Sequence, residues 1–327
     1  MQEHPFAAYV RILARGKSQS RPLTIDEADA AMTMILRGEA LPEQIGAFLM
    51  LLRFKEETAE EIAGFVRAAR RLIERPTTAP KVDLDWSCYA GKRRQLPWFA
   101  LSARALAGTG VKIFIHGTEG HTAGRVYAEQ TMRSLGLPIA DTMKAAAETL
   151  RVSHLCYVPL DKISPVLSEL IDLKAVLGLR SPVHTISRML NPFDAKYVLQ
   201  GVFHPGFNHV HQQAAALLEQ AHLAVFRGEG GEVERRPQKP LDVLSVHEGR
   251  LETESWPALM DDPRQAHDDT MDLSRLVRVW RGEEVDDYGL AAVIGTLAIA
   301  LKLLGRATSQ EDAHQLAQNI WQNRDQK

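Results

Sequence analysis

Residues 83–118 read DLDWSCYAGKRRQLPWFALSARALAGTGVKIFIHGT, and this stretch decides the fold. Its flanking segments, 82–85 and 112–115, are short, apolar and β-leaning, and glycines bound the second of them. Residues 101–106, between the two, are typical of a helix. Strand, loop, helix and strand in this order predict a parallel sheet with a ligand site at the carboxyl ends of its strands.

The loop that leads into this helix carries three consecutive cations, Lys92, Arg93 and Arg94. A helix N-terminus favours anions, and cations just before it strengthen that preference. We therefore expect a phosphate site built from charge, and a solvated loop is the alternative. Two aromatic residues, Trp98 and Phe99, follow the cations. Large aromatic side chains are mostly buried, so we expect them in the core, with stacking on a base as the alternative.

Length and composition bound the class of protein. The chain has 327 residues, a formal net charge of −2 and two cysteines. It is long enough for two domains or for one large α/β domain with an appendage. Two cysteines argue against a disulfide framework and against a cysteine-rich metal site. Overall charge does not indicate nucleic acid, but residues 88–125 carry six basic side chains and one acidic side chain.

The chain lacks the usual signals for membranes or export. No N-terminal signal pattern is visible, and the longest apolar run, residues 288–301, is too short to span a bilayer. We therefore expect a cytoplasmic protein that has no membrane partner.

The first 75 residues predict a small helical domain. Residues 5–72 look wholly helical, and Thr24 with Glu27 three positions later has the spacing of a capping box. The apolar stripes of these helices exceed what one small domain can bury, which predicts a homodimer interface. We assign residues 1–75 to the helical domain, joined by part of 160–190. Residues 80–327 form an α/β domain with a central mixed sheet and a cleft that faces the helical domain.

Three segments carry a resemblance to a known family. Residues 31–70, VKIFIHGT at 111–118 and LGLRSPVHTISRMLNP at 177–192 resemble anthranilate phosphoribosyltransferase, of glycosyltransferase family three. This family shares its fold with the pyrimidine nucleoside phosphorylases. The resemblance implies a homodimer formed by the helical domain, with Mg²⁺ and phosphoribosyl pyrophosphate in the interdomain cleft. Arg180, in place of the family's acceptor-binding arginine, and His116 are retained.

The phosphate-binding loop departs from the family pattern. The family has Gly-Thr-Gly-Gly-Asp-Gly where this chain has SCYAGK at 87–92. Tyr89 would occupy space that the ligand needs, and Gly91 replaces the acidic residue. The following Asn-Ile-Ser-Thr becomes Pro-Trp-Phe-Ala at 97–100, so three polar ligands are lost.

The other ligand positions depart as well. Thr118 replaces the family asparagine that follows His-Gly, and Arg125 stands where the family has lysine. The late Asp-Glu pair that holds Mg²⁺ maps to Val233 and Glu234, so one carboxylate is lost and Glu234 is a weak metal candidate. Together these departures resemble the YbiB-like branch of the family, which keeps the fold, lacks demonstrated transferase chemistry and is associated with nucleic-acid binding as a homodimer.

Our first expectation is therefore a catalytically degenerate homodimer that binds single- or double-stranded nucleic acid with low sequence specificity and needs no cofactor. We expect no catalytic residues. The candidate phosphate contacts are Lys92, Arg93, Arg94, Arg125 and Arg180, and the candidate cleft-lining residues are Tyr89, His116, Gly117 and Thr118. The alternative is a phosphoribosyltransferase that uses Mg²⁺ and phosphoribosyl pyrophosphate on an unknown acceptor. A third possibility is a sensor of small anions or nucleotides.

Several of these residues also have simpler explanations. His116 can cap its strand-end loop, and Arg180 can pair with an acid across the cleft. Glu234 with its neighbours Glu229 and Glu232 can form a solvated turn, although either neighbour could compensate for the lost metal ligand. A further group, His204, His209 and His211, lacks the spacing of a recognised metal site, so surface histidines are expected there.

Overall fold

The computed structural model describes residues 2–16, 18–204, 206–262, 267–268 and 270–326. The strands are β1 (Leu84–Cys88), β2 (Ile113–Gly117), β3 (Leu155–Pro159), β4 (Tyr197–Val202), β5 (His222–Arg227), β6 (Leu241–His247) and β7 (Arg250–Trp256). The helices are α1 (Ala7–Ala14), α2 (Ile25–Leu36), α3 (Pro42–Lys55), α4 (Ala59–Leu72), α5 (Phe99–Ala107), α6 (Ala128–Ser134), α7 (Met143–Val152), α8 (Leu160–Ile163), α9 (Pro165–Asp172), α10 (Lys174–Leu177), α11 (Val183–Arg188), α12 (Gly206–Leu217), α13 (Ser274–Arg281), α14 (Asp287–Leu303) and α15 (Gln310–Gln322).

All seven strands form one sheet in the order β3-β2-β1-β4-β5-β6-β7. The strands from β3 to β5 pair in parallel, whereas β6 and β7 add an antiparallel edge. The predicted mixed sheet is therefore confirmed. Because the carboxyl ends of parallel strands meet at one edge of a sheet, the loops after β1, β2 and β5 lie together there.

Strand β1 runs further than its sequence indicates. It was expected at 82–85 but spans Leu84–Cys88, and its polar residues Asp85 and Ser87 are buried. The strand continues because Trp86 and Cys88 point into the apolar core on the other face. At its end, Cys88 is in register with Gly117 of β2, and a Cβ at Gly117 would lie 2.1 Å from the Cys88 carbonyl oxygen. Only glycine allows this approach.

The N-terminal helices pack on one face of the sheet. Helix α2 begins with the predicted capping box, in which Thr24 Oγ1 accepts from the N–H of Glu27 at 3.2 Å and Glu27 returns the contact. Phe48 and Phe65 share one apolar core with Phe114 of the sheet and Val183 of α11. The division into two domains stays a prediction.

The opposite face is covered by α5, α13, α14 and α15. Trp98 and Phe99 are buried in this layer, which confirms them as core residues. The indole of Trp98 lies so close to α14 that a Cβ on Gly289 would approach it to 2.6 Å. Segment 165–177 forms two short helices, α9 and α10, which meet at Leu173. None of the helices in the described ranges is long and apolar enough to cross a membrane.

Candidate functional site

The loop after β1 holds a carboxylate on its backbone. The N–H groups of Ala90 and Gly91 both donate to Glu232 Oε1, at 2.7 and 2.5 Å. Gly91 has φ +71°, and a Cβ there would lie 2.8 Å from the Tyr127 ring, so the loop needs glycine at this point. Consecutive N–H groups that face one oxygen form an anion-binding hollow. Here the anion is a side chain of the protein itself.

A second glutamate lies at the start of α5. Glu234 is fully buried, and its Oε2 accepts from the N–H of Phe99 at 2.9 Å, while Oε1 pairs with the ammonium of Lys92. Burial raises the pKa of Glu234 to about 7, and Lys92 favours the charged form. The expected solvated turn is therefore buried. The structure also corrects the expectation that Lys92 contacts phosphate. Its ammonium is paired with Glu234 inside the fold and does not reach solvent.

The other two loop cations remain at the surface. Arg93 and Arg94 are exposed. The loop backbone is fixed beneath them, since Asp268 accepts from the N–H of Leu96 and donates its own N–H to the Arg94 carbonyl, both at 2.8 Å. The predicted trio therefore divides into one buried cation and two exposed ones.

Two cations contact the hydroxyl of Thr122, and a third lies close enough to repel both of them. Lys174 Nζ donates to Thr122 Oγ1 at 2.9 Å, Arg180 Nη2 donates to it at 3.1 Å, and Arg125 interacts electrostatically with both cations. We call Arg125, Lys174 and Arg180 the Thr122 cluster. Across the described ranges, none of them forms an ion pair with a carboxylate. The expectation that Arg180 pairs with an acid is therefore not met.

The Thr122 cluster adjoins the β1 loop. Arg125 Nη1 donates to the carbonyl oxygens of Ala90 at 2.8 Å and Gly91 at 3.0 Å. Burial lowers the pKa of Arg180, and repulsion from Arg125 lowers it further. Because these cations repel one another and none of them forms a close ion pair within the described residues, an anion would be favoured at this place, although Glu232 already attracts Arg180 electrostatically.

Polar groups without partners line the inner side of the same region. His184 is 5% exposed, and neither of its ring nitrogens has a hydrogen-bond partner among the described residues. Arg188 donates to the His184 carbonyl at 3.0 Å, but its Nε has no described partner. Burial lowers the pKa of His184 well below its ordinary value, and that of the neighbouring His121 to about 4. Both imidazoles are therefore neutral near pH 7.

The residues expected to line an open cleft are instead buried. The hydroxyl of Tyr89 is hydrogen-bonded to Nδ1 of His116 at 2.7 Å. On the other side of the ring, Nε2 of His116 lies 3.2 Å from Oδ1 of Asp85. All three side chains are at most 1% exposed, Thr118 is 5% exposed and Gly117 is buried. His116 is therefore part of an internal polar chain and does not cap an exposed loop. Burial raises the pKa of Tyr89 well above its ordinary value.

The three histidines of the 204–211 segment differ in their exposure to solvent. His204 and His209 are exposed, as expected, whereas His211 is buried and lies 2.8 Å from Gln200 Oε1. No group of three or more histidine, cysteine or acidic side chains within the described residues could hold a metal ion.

Comparison with known proteins shows which proteins this chain resembles. Residues 8–72 match the helical bundle domain of a glycosyl transferase family. Anthranilate phosphoribosyltransferase from Thermomicrobium roseum is 29% identical over 241 residues, which cover 72% of this chain and 68% of that protein. The chain therefore resembles anthranilate phosphoribosyltransferases along most of its length, and its helical segment matches a glycosyl transferase family. Matches to two further relatives of the same name span 63 and 62% of their lengths.

Solved structures show the same fold. Anthranilate phosphoribosyltransferase from Thermus thermophilus superposes with a TM-score of 0.79 at 20% identity, covering 98% of this chain and 94% of that one. The enzyme from Saccharomyces cerevisiae, solved in complex with PRPP and Mg, gives 0.78 at 15% identity over 98 and 94% of the two chains.

Mg²⁺ does not fit the residues that this chain offers at the place where the resemblance puts the metal ligands. Both oxygens of Glu234 are already engaged, one by an ammonium and one by a backbone N–H. The preceding position is Val233, whose side chain has no oxygen ligand to offer. A divalent ion needs several hard oxygen ligands, and this pair cannot supply them in the observed arrangement.

Four residues of this candidate site were not identified from the sequence, namely Lys174, His121, His184 and Arg188. Within 177–192, His184 and Arg188 stand where the family pattern has asparagine and proline, and that departure was the available signal. Glu232 was considered only as part of a turn or as a substitute metal ligand. Its role on the loop depends on a contact with residues 141 and 142 positions away, which no local pattern reveals.

Proposed function

We propose that this protein is a phosphoribosyltransferase whose cleft, at the Thr122 cluster, binds phosphoribosyl pyrophosphate and an unidentified anionic acceptor. The observation that carries the proposal is the cluster itself, in which Arg125, Lys174 and Arg180 lie together with no ion-paired carboxylate among the described residues. An anionic ligand would relieve their repulsion. Similarity to anthranilate phosphoribosyltransferases supports phosphoribosyl transfer as the reaction class.

The chemistry of each polar side chain in the cleft suits contact with a particular group of the ligands. Arg180 stands where the resemblance places the acceptor-binding arginine, and its planar guanidinium suits a carboxylate or a phosphate. Lys174 adds a compact positive charge next to it. The neutral imidazole of His184 offers one donor and one acceptor, which suits a hydroxyl group of a ribose or of the acceptor.

Calorimetric titration with phosphoribosyl pyrophosphate tests this proposal. We expect the native protein to bind it with a Kd of ~1 mM, or about −4 kcal/mol, because Glu232 fills the anion position of the loop. Arg180→Gln should weaken this binding by about tenfold, the scale of one hydrogen bond to a charged group. Added Mg²⁺ should change the affinity little, because Glu234 is engaged by Lys92.

Arg306→Gln is the matched control. The exposed Arg306 also donates to a threonine hydroxyl, that of Thr109 at 2.7 Å, but Thr109 precedes β2 and lies at the opposite end of the sheet. This variant should bind like the native protein. Equal affinity in the native protein and Arg180→Gln would count against a ligand at the Thr122 cluster.

Nucleic-acid binding by a homodimer is the second candidate function. The observation that favours it is the exposure of Arg93 and Arg94 on a loop whose own anion positions are filled from inside. The phosphates of a polymer can contact these side chains without entering the cleft, and phosphate contacts carry no sequence information.

A competition titration separates the two functions. Labelled single-stranded oligonucleotide is titrated against the protein at several salt concentrations, with phosphoribosyl pyrophosphate as competitor. Displacement of the oligonucleotide would place both ligands in the Thr122 cluster. Tight binding without displacement would favour the outer loop and the second candidate.

A further inference from the structure

The anion position of the β1 loop is already filled by Glu232. One carboxylate oxygen accepts two backbone N–H groups, those of Ala90 and Gly91, at 2.7 and 2.5 Å. Paired N–H donors of this kind are the arrangement with which proteins hold phosphate oxygens. The side chain therefore occupies the place, and makes the contacts, of a ligand anion.

Glu232 is only partly compensated in this position. It is 1% exposed, and its second oxygen, Oε2, has no hydrogen-bond partner among the described residues. Arg188, Lys92 and Arg180 interact with Glu232 electrostatically, but none of them forms a close ion pair with it among the described residues, and Nε of Arg188 also lacks a described partner. Burying a charge with incomplete partners is costly, and burial accordingly raises the pKa of Glu232.

Close packing restrains the backbone at Glu232, so that only its side chain is free to move. A Cβ on Gly201 would lie 2.2 Å from the Glu232 carbonyl oxygen, and one on Gly228 would lie 1.6 Å from the same atom. The main chain at Glu232 is therefore packed closely against two glycines. Rotation of the Glu232 side chain is the smallest change that would free the two N–H groups.

We propose that Glu232 is an internal competitor for the anion position of the β1 loop and thereby determines which ligands the cleft accepts. Anions that need only the Thr122 cluster bind with Glu232 in place. A ligand that carries pyrophosphate engages Ala90 and Gly91 only when it displaces the carboxylate, and Arg188 then faces the incoming phosphate. This inference rests on the proposed function, since it concerns the same cleft.

Inorganic pyrophosphate is the probe that tests it. Calorimetric titration is carried out on the native protein and on two variants. The carboxylate fills the anion position in the native protein, Glu232→Ala leaves this position empty, and Glu232→Gln fills it with a neutral amide. We expect Glu232→Ala to bind pyrophosphate at least tenfold more tightly than the native protein. Glu232→Gln should show a smaller gain, because a neutral amide oxygen holds the two N–H groups less strongly than a carboxylate does.

Glu229→Ala is the control for charge alone. Glu229 is a buried glutamate of the same turn, and it makes no contact with the N–H groups of Ala90 or Gly91. Its removal lowers the local negative charge by the same amount without opening the anion position. A gain in Glu229→Ala equal to that of Glu232→Ala, or no gain in either Glu232 variant, would overturn the proposal.

A melting measurement covers the case in which Glu232→Ala folds poorly. Added pyrophosphate should then raise the melting temperature of this variant more than that of the native protein, because only the variant offers an empty site. An equal shift in both would overturn the proposal. The outcome is distinct from failure of the proposed function, in which phosphoribosyl pyrophosphate binding would not respond to Arg180→Gln.

Discussion

The ammonium of Lys92 lies inside the fold against the carboxylate of Glu234, and both side chains are at most 1% exposed. This pair fixes the β1 loop to the segment that follows β5. It also removes one cation from the surface that the run of Lys92, Arg93 and Arg94 would otherwise present. The loop is thus held by internal charges at two neighbouring points, Glu232 and Glu234.

Lys92→Met should be strongly destabilising. It leaves the buried carboxylate of Glu234 with one backbone N–H, and loss of one partner from a buried ion pair costs about 3–5 kcal/mol. Urea denaturation measures the loss. The neighbouring exposed residue supplies the control, since Arg93→Met should change stability by less than about 0.5 kcal/mol. Native-like stability of Lys92→Met would contradict the buried pair.

Stability should fall on acidification because of His211. Burial lowers its pKa to about 3 from an ordinary value of 6.5. Below pH 6.5 the unfolded chain therefore binds a proton there that the folded chain does not, so the stabilising contribution of neutral His211 is lost as pH falls from 6.5 towards 3. The slope is about 1.4 kcal/mol per pH unit for one proton.

Urea denaturation at pH 7, 6 and 5 checks this slope. His211→Asn should reduce the slope of the unfolding free energy against pH by the contribution of about one proton. His209→Asn, at an exposed position, should leave this slope unchanged. Equal slopes in the native protein and His211→Asn would show that His211 is not a buried neutral residue.

The helical segment 5–72 should supply most of a homodimer interface. Phe54, at its surface, is 88% exposed, and Leu41 is 50% exposed. If the predicted interface buries Phe54, an unpaired charge at this position should prevent association. Phe54→Asp should yield a monomer by light scattering at micromolar concentration. Val152→Asp, at an 84% exposed valine of α7, is the control and should stay dimeric. A native monomer at this concentration would refute the prediction.

If Arg93 and Arg94 contact phosphates, neutralising both should change the affinity for nucleic acid and the salt dependence of that affinity. The double variant Arg93→Gln/Arg94→Gln should weaken binding to all sequences about equally. It should also reduce the slope of log K against log salt by about 0.7 for each lost contact with a single strand. The melting temperature should not change, because exposed charges contribute little to stability. Unchanged affinity and slope would exclude the loop as the contact surface.

Local patterns in the sequence predict most of the fold. The capping box at Thr24, the helix at 101–106 and the strand at 112–115 each follow from neighbouring residues, and the structure has the capping box, α5 and β2 at these places. Side-chain periodicity and caps act within a few positions, so a single sequence displays them. The predicted mixed sheet follows from the alternation of strands and helices.

The site was harder to predict because its contacts are long-range. Charge alternation around Glu234 is typical of a solvated turn, yet residues 92 and 99 bury this side chain in the folded chain. The same holds for Lys92, whose neighbours in sequence are exposed. Whether a charged residue is buried depends on the partner that tertiary structure brings to it, and no local pattern shows that partner.

The distance along the chain between Ala90 and Glu232 also affects when the site can form during biosynthesis. The two residues are 142 positions apart. At a translation rate of about 5–20 residues per second, a ribosome needs roughly 7–28 s to add that many residues. Throughout this interval the N-terminal helices are already synthesised, whereas the nascent β1 loop has no glutamate to accept its two N–H groups. The loop therefore reaches its final conformation late, and a diffusible anion that arrives in this interval meets the N–H pair before Glu232 does.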